Sequence, residues 1–283
     1  MDYRMKAVIF DIVAECGELK LALQSAGILV LAPFFGLRIT EVLQQETGLF
    51  GVPAEECLFL TNREQHAKEA KALGMVVVGC VEGHFEVPKT TTLLESPEEV
   101  SVSYLDRVFC HEKELPAMIL ETPRMFIREL SKQDMDALYE ILTDEETARF
   151  LPAKAGTRKE ELEKLISYVS CVYSFFEYGY WGVFLKETGE LIGRAGFKEG
   201  SFPPEAGYVI KRSLWGKGLG TEVLESLTRY AQDEIGCDEV QARIDRRNIA
   251  SIRVAEKCGF LVTEERGAEA EAEQDVFVFQ YGM

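Results

Sequence analysis

The sequence predicts two units in tandem: an α/β unit with an open parallel sheet, then an α+β unit built on a mixed central sheet. Three observations support this. In roughly the first 80 residues, fully apolar runs of strand length alternate with short stretches of helical periodicity, as in strands covered on both faces by helices. From Met125 onward, strands also come in neighbouring groups, one pair joined by the hairpin turn Glu187-Thr-Gly-Glu190. Between the two lies a charged, proline-punctuated stretch, His111–Pro116 and Glu121–Pro123, of linker composition. The expected boundaries are a first domain over 1–118, a linker over 119–124 and a second domain over 125–283.

In the first domain, Lys6–Asp11 is a continuous apolar run ending in Asp, the signature of a buried parallel strand. Glu18–Ala26 has helical periodicity, Gly27–Ala32 is another buried strand and Arg38–Thr47 is helical. Cys57–Thr61 and Met75–Gly79 are strands flanking a helix over Glu64–Leu73, and Val100–Tyr104 reads as one more strand. In the second domain, Met125–Leu130 is a strand, and Ser131 with Asp134 forms a capping box that opens a helix to Leu142. Lys159–Tyr178 is a long helix with Leu162, Leu165, Ile166, Val169 and Val172 at helical spacing. Strands follow at Tyr180–Lys186, Leu191–Phe197 and Glu205–Lys211, then a helix from Leu219 to Asp233. Glu239–Ile244 is a strand, Ile249–Lys257 a helix, and Phe260–Glu264 and Asp275–Gln280 the last strands.

The chain has 283 residues, enough for two domains of ordinary size, and 47% of them are hydrophobic. A net charge of −17 argues against a nucleic-acid partner and favours cationic substrates such as amines. The seven cysteines are scattered without C-x-x-C pairs, so reduced thiols in a cytoplasmic protein are expected, with no zinc site. The three histidines, His66, His84 and His111, show no ligand spacing. No apolar run is long enough to span a bilayer, and the N-terminus lacks a signal-peptide layout, so no membrane partner is expected.

The most informative stretch is Glu205-Ala-Gly-Tyr-Val-Ile-Lys-Arg-Ser-Leu-Trp-Gly-Lys-Gly-Leu-Gly-Thr221. A strand runs into a glycine-rich turn and then into an amphipathic helix. Glycines let the backbone approach an anion, and free N–H groups at a helix start point at it. The spacing fits neither a Walker loop nor a G-x-G-x-x-G dinucleotide fingerprint, because the glycines fall at every second position. Trp215-Gly-Lys-Gly-Leu-Gly220 instead resembles the Q/R-x-x-G-x-G/A signature of the GNAT superfamily of acyl-CoA-dependent N-acyltransferases. Trp stands where Gln or Arg is commonest, as in the RimJ/RimL branch that acetylates ribosomal-protein N-termini. A second block, Asn248-Ile-Ala-Ser251…Glu256-Lys-Cys-Gly259-Phe260, resembles the N-x-x-S/A…E-K-x-G-F segment of the same superfamily. Locally it is a helix capped by Asn248 and ended by Gly259.

The resemblance covers 125–283 and implies a GNAT fold with acetyl-CoA as cofactor and a primary amine as acceptor, either a small molecule or a peptide N-terminus. It implies that backbone N–H groups near Tyr208, Val209 and Ile210 face the thioester oxygen as an oxyanion-type stabiliser. The pyrophosphate would lie on the amides of Trp215, Gly216, Lys217, Gly218, Leu219, Gly220 and Thr221, with help from Lys217 and Arg212. Lys217 also reads as a solvated turn residue. Asn248 would contact the pantetheine arm. Amines are protonated at neutral pH, with pKa values of roughly 8 to 10, so a base is needed. Glu205 is the candidate base, against the plainer reading of a solvated strand-end residue. Many relatives carry a Tyr seven residues after the Asn to protonate the leaving thiolate. Here that position is Ala255, which leaves Ser251 as a candidate or a thiolate that departs unaided. The missing Tyr also keeps open an acyl-CoA-binding sensor with little turnover. The acidic tract Glu264–Asp275 is either an acceptor-attracting loop or a solvated hairpin loop. The aromatic run from Tyr173 to Trp181 lines the acceptor side or covers the sheet.

Ala7-Val-Ile-Phe-Asp11, Gly51–Leu60 and Ala67–Met75 resemble the haloacid dehalogenase (HAD) superfamily, which implies a Rossmann-like parallel sheet without a cap. The family's D-x-D is broken here, since Val13 follows Asp11, and Thr61-Asn-Arg63 replaces the acidic pair. Arg38 is the nearest match to its basic residue. A Mg²⁺-supported phosphoaspartyl mechanism needs several carboxylates, so a catalytically inactive domain is expected. A scaffold, dimerisation or regulatory role remains for it, with a homodimer compatible with the chain.

Overall fold

A computed structural model describes residues 3–12, 15–31, 51–81, 92–151, 153–175, 178–262 and 274–280. Two compact units divide the chain, Met1–Met118 and Ile119–Met283.

The first unit holds β1 (Ala7–Asp11), α1 (Gly17–Ser25), β2 (Leu29–Leu31), β3 (Cys57–Thr61), α2 (Glu64–Ala72), β4 (Val76–Cys80), β5 (Thr92–Leu94) and α3 (Val102–Glu112). Its strands form one sheet in the order β2-β1-β3-β4-β5, with every recorded pairing parallel. Strand alternation explains why the runs are apolar throughout. Val8, Phe10, Leu58 and Leu60 face Leu19 and Leu23 of α1 and Leu105 and Phe109 of α3. Ala7, Ile9 and Phe59 face Ala67 and Ala70 of α2. Both faces are thus covered, as a parallel sheet requires.

The strand expected at Val100–Tyr104 is instead the start of α3. Ser101 caps it, accepting the Tyr104 N–H at 3.1 Å. The apolar positions 102, 105 and 109 follow helical spacing beyond the point where the alternating start of the segment suggested a strand. The expected helix at Arg38–Thr47, with Arg38, Val13 and His84, lies outside the described residues.

The second unit holds β6 (Met118–Glu121), β7 (Met125–Arg128), α4 (Met135–Thr143), α5 (Glu145–Ala148), α6 (Arg158–Phe175), β8 (Tyr180–Leu185), β9 (Leu191–Phe197), β10 (Ala206–Ile210), α7 (Leu219–Asp233), β11 (Glu239–Asp245), α8 (Ile249–Lys257), β12 (Leu261–Val262) and β13 (Gln274–Gln280). The segment expected as a linker over 119–124 is largely β6, an edge strand beside β7. Its Pro123 sits in the turn between them, where the Thr122 N–H donates to Met125 O at 2.8 Å. The flanking charges and proline that resembled a linker are those of a tight β-turn.

One sheet runs β10-β9-β8-β7-β6 and a second runs β11-β13-β12. On one face of the first sheet, α4 and α6 bury Met135, Leu138, Ile141 and Leu165 against Phe184, Leu191 and Val209. On the other, α7 buries Leu219, Val223, Leu227 and Tyr230 against Trp181, Ala195, Phe197, Ala206 and Ile210. Each such side chain contributes about 1.5–3 kcal/mol of burial, so β10 and the start of α7 are held firmly from both faces. Tyr173 and Trp181 of the aromatic run are core residues, with the Tyr173 hydroxyl accepting from Leu130 N–H at 3.2 Å and donating to Tyr180 O at 2.7 Å. The Ser131–Asp134 capping box is formed at a short 3-10 turn ahead of α4. The acidic tract at 264–273 lies outside the described residues.

Candidate active site

The two sheets of the second unit meet at one parallel bridge, Glu205 to Gln241, where the Gln241 N–H donates to Pro204 O at 3.0 Å. Beyond it no ladder joins β10 to β11 among the described residues, and the strands part. On its other side β10 is fully paired with β9, Ala206 to Phe197 through Ile210 to Gly193. Glu205 O and Lys211 N–H bond across to the β9 strand. By the two-residue period of a strand, the odd positions face β9 and the even positions face the opening. The backbone groups of Tyr208 and Ile210 therefore point into the gap. The Ile210 carbonyl there accepts the Trp215 indole N–H at 2.6 Å.

A cavity of about 530 Å³ fills the gap. It is lined by Tyr208, Val209 and Ile210 of β10, by Trp215, Gly216, Gly218, Leu219, Gly220 and Thr221 of the turn and α7, and by Asn248 and Ser251 of α8. Gly216 and Gly218 have φ of 76° and 77°, a left-handed conformation that side chains resist. Gly218 is the N-cap of α7 and supplies no side-chain cap. The first-turn N–H groups of α7 thus meet the cavity without a protein acceptor in the capping position, which is the arrangement that binds phosphate. Gly220 is required for a second reason: a Cβ there would meet the Tyr208 ring at 3.1 Å.

Asn248 caps α8, its side-chain oxygen accepting the Ser251 N–H at 3.1 Å. The Ser251 hydroxyl hydrogen-bonds the Tyr208 phenol. Burial pushes that phenol up to about 12, against a smaller lowering by Ser251. Ala255 is fully buried, facing the core rather than the cavity.

Other expected residues lie apart. Lys217 and Arg212 do not line the cavity; the cations that do are Arg247, Arg253 and Lys257. Arg247 pairs with Asp245 at 2.6 Å, and its hydrogen bonds hold that carboxyl at about 2. Glu205 also lies outside the lining, and its carboxylate accepts from Arg243 Nε at 2.9 Å.

Sequence reasoning missed Arg124. Its guanidinium donates to Lys217 O at 2.8 Å and to Glu222 at 2.6 Å. It thereby draws the turn's carbonyl aside and neutralises the one acid in the first turn of α7. Arg124 follows Pro123 in the segment read as a linker, which hid it. Thr147, Phe150 and Leu151, beside α5, line the cavity too. The apolar pair in a charged stretch was the available signal.

In the first unit Asp11 is occupied. It accepts from the Thr61 hydroxyl and His66 Nδ1, both at 2.7 Å, with Arg63 at 3.6 Å. The sequence gave no hint that His66 would reach it.

A splayed strand pair, an uncapped helix start and a glycine turn in one cavity define an acyltransferase site that receives a phosphate-bearing thioester donor. Comparison with known proteins gives the family. Residues 124–261 match the acetyltransferase (GNAT) domain model, and this part of the chain is a GNAT acetyltransferase domain. The chain is 28% identical over 145 residues to the uncharacterized N-acetyltransferase YoaA of Bacillus subtilis, covering 50% of this chain and 82% of that protein. It is 24% identical over 144 residues to the uncharacterized N-acetyltransferase p20 of Bacillus licheniformis, covering 50% and 81%. The fold is similar to that of an acetyltransferase from Agrobacterium tumefaciens strain C58, with a TM-score of 0.50, 21% identity and coverage of 57% of this chain and 93% of that one. The protein is an acetyl-CoA-dependent N-acetyltransferase.

Proposed function

We propose that the second unit transfers the acetyl group of acetyl-CoA directly to a primary amine, of a small molecule or a peptide N-terminus, in a ternary complex. The observation that carries this reading is the open edge of β10 beside the uncapped start of α7 in a single cavity. The amides from Gly216 to Thr221 hold the pyrophosphate, and the Asn248 amide NH₂, free of its capping role, bonds the pantetheine arm. An N–H of Tyr208 or Ile210 polarises the thioester carbonyl. Glu205 takes the amine proton as the new C–N bond forms, with Arg243 fixing its carboxylate. The net charge of −17 supports a cationic acceptor.

The first unit is read as a HAD-like scaffold without phosphatase chemistry. The Asp11 carboxylate, bonded to Thr61 and His66, supports that reading.

The test is thiol release from acetyl-CoA with pooled peptides, polyamines, amino acids and aminoglycosides, using wild type and Glu205→Gln. Amine-dependent release that falls at least about 100-fold in the variant supports both the reaction and the base. Release that is equal in both removes Glu205 from the mechanism. The buried Ala255 favours one second reading, a CoA sensor; acetyl-CoA binding without release in any pool would establish it.

A further inference from the structure

We propose that Tyr208 is a catalytic residue that donates its phenolic hydrogen to the departing CoA thiolate, with Ser251 as the positioning residue behind it. This rests on the acetyl-transfer reading above.

The position that would carry a thiolate donor on α8 is Ala255, which is buried in the core. The cavity nevertheless contains a phenol, brought from the opposite wall. Tyr208 reaches it from β10, and its ring is seated on Gly220 of α7. The absence of a Cβ at Gly220 is what allows this seating. Ser251, which also lines the cavity, bonds the phenol in the sense that favours the phenolate, so the serine hydroxyl is the donor. The phenolic hydrogen is then left for another acceptor. None is recorded for it among the described residues, in a cavity built to take a thioester.

The chemistry balances without a further reactant. The amine nitrogen attacks the carbonyl carbon, the C–S bond breaks and its electron pair goes to sulfur. The nitrogen's surplus proton leaves to the base. The thiolate accepts a hydrogen bond from Tyr208 and takes its proton from water. Full transfer from the phenol is not required: a phenol raised by burial is a weaker acid than a thiol of pKa near ~8.5 and stays a hydrogen-bond donor at working pH. The charged or titratable groups around this point are Cys258 at the end of α8, Glu225 on α7, and the cavity cations Arg247, Arg253 and Lys257. All are common to wild type and a Tyr208→Phe variant, so comparing the two isolates the phenol.

The experiment is the ionisation of CoA bound to the full chain, followed by thiolate ultraviolet absorbance from pH 6 to pH 10, with desulfo-CoA as blank. A charge-assisted hydrogen bond predicts a bound-thiol pKa about one to two units lower in wild type than in Tyr208→Phe. Ser251→Ala gives a smaller shift in the same direction. Turnover by Tyr208→Phe falls about 10- to 100-fold, while KM for acetyl-CoA changes less than about threefold. The same bound-thiol pKa in wild type and both variants overturns the proposal and leaves the acetyl-transfer reading intact. Failure of the wild type to bind CoA overturns both.

Discussion

At the scale of single residues, the site depends on atoms whose roles are local and separable. The Trp215 indole N–H ties the glycine turn to the end of β10 through the Ile210 carbonyl. Trp215→Phe keeps the ring and removes that bond, worth about 1 kcal/mol. Calorimetry is expected to show acetyl-CoA bound about 3- to 10-fold more weakly. Gly218→Ala places a side chain at φ 77°, which costs roughly 1–2 kcal/mol, and denaturant unfolding should register that loss. Trp215 and the glycines were legible because a β–α turn leaves a short, fixed spacing. The indole's partner was not, because it depends on which carbonyls the splay leaves unpaired. Tyr208 was legible only as a strand residue. Its phenol gains its meaning from Ser251, 43 positions away in the chain.

At the scale of elements, two ion pairs fix strands that the chemistry needs. Asp134 is a buried carboxyl whose desolvation, which alone would raise it, is overcome by Arg128 and Ser131, so its pKa lies below the ordinary 3.8. A depressed folded pKa means that its stabilisation is complete above the unfolded value and is lost as the pH falls through the folded one. Asp134→Asn is therefore expected to destabilise the chain by about 2–3 kcal/mol at pH 7. That gap should narrow below about pH 4, which denaturation at pH 7 and pH 3 would show. Arg124 does the equivalent for the turn. Arg124→Met releases Lys217 O and leaves Glu222 unneutralised beside the phosphate site; CoA affinity should drop while Glu222→Gln in the same chain restores part of it. The capping box was visible as Ser-x-x-Asp before α4, because it is contiguous in sequence. The Arg124–Glu222 pair spans 98 positions, and only the fold brings its members together.

For the whole molecule, each unit has its own core and its own sheet. Two calorimetric transitions are expected on heating. The isolated chain from Ile119 onward should bind acetyl-CoA within about threefold of the full chain, as a domain with its own core should. The alternation of apolar runs was enough to read the parallel sheet of the first unit, because buried parallel strands leave no polar positions to confuse the pattern. Its β5, three residues long, is too short to carry a periodicity. In the second unit the strand order was legible from the turns. The parting of β10 from β11 was not read from hydropathy, since Val209, Ile210 and Ile244 look like any paired strand; it came only from the family resemblance.

The central claim is that this parting, floored by the start of α7, is where acetyl-CoA sits. Thr221→Asp tests it most directly. An acid in the first turn of a helix is favourable to the helix, so the melting temperature should hold or rise, while a carboxylate facing the bound phosphates costs on the order of 2–4 kcal/mol. Titration of CoA into wild type and Thr221→Asp is predicted to show binding weakened at least about 30-fold in the folded variant. Equal affinities would place the cofactor elsewhere and contradict the account.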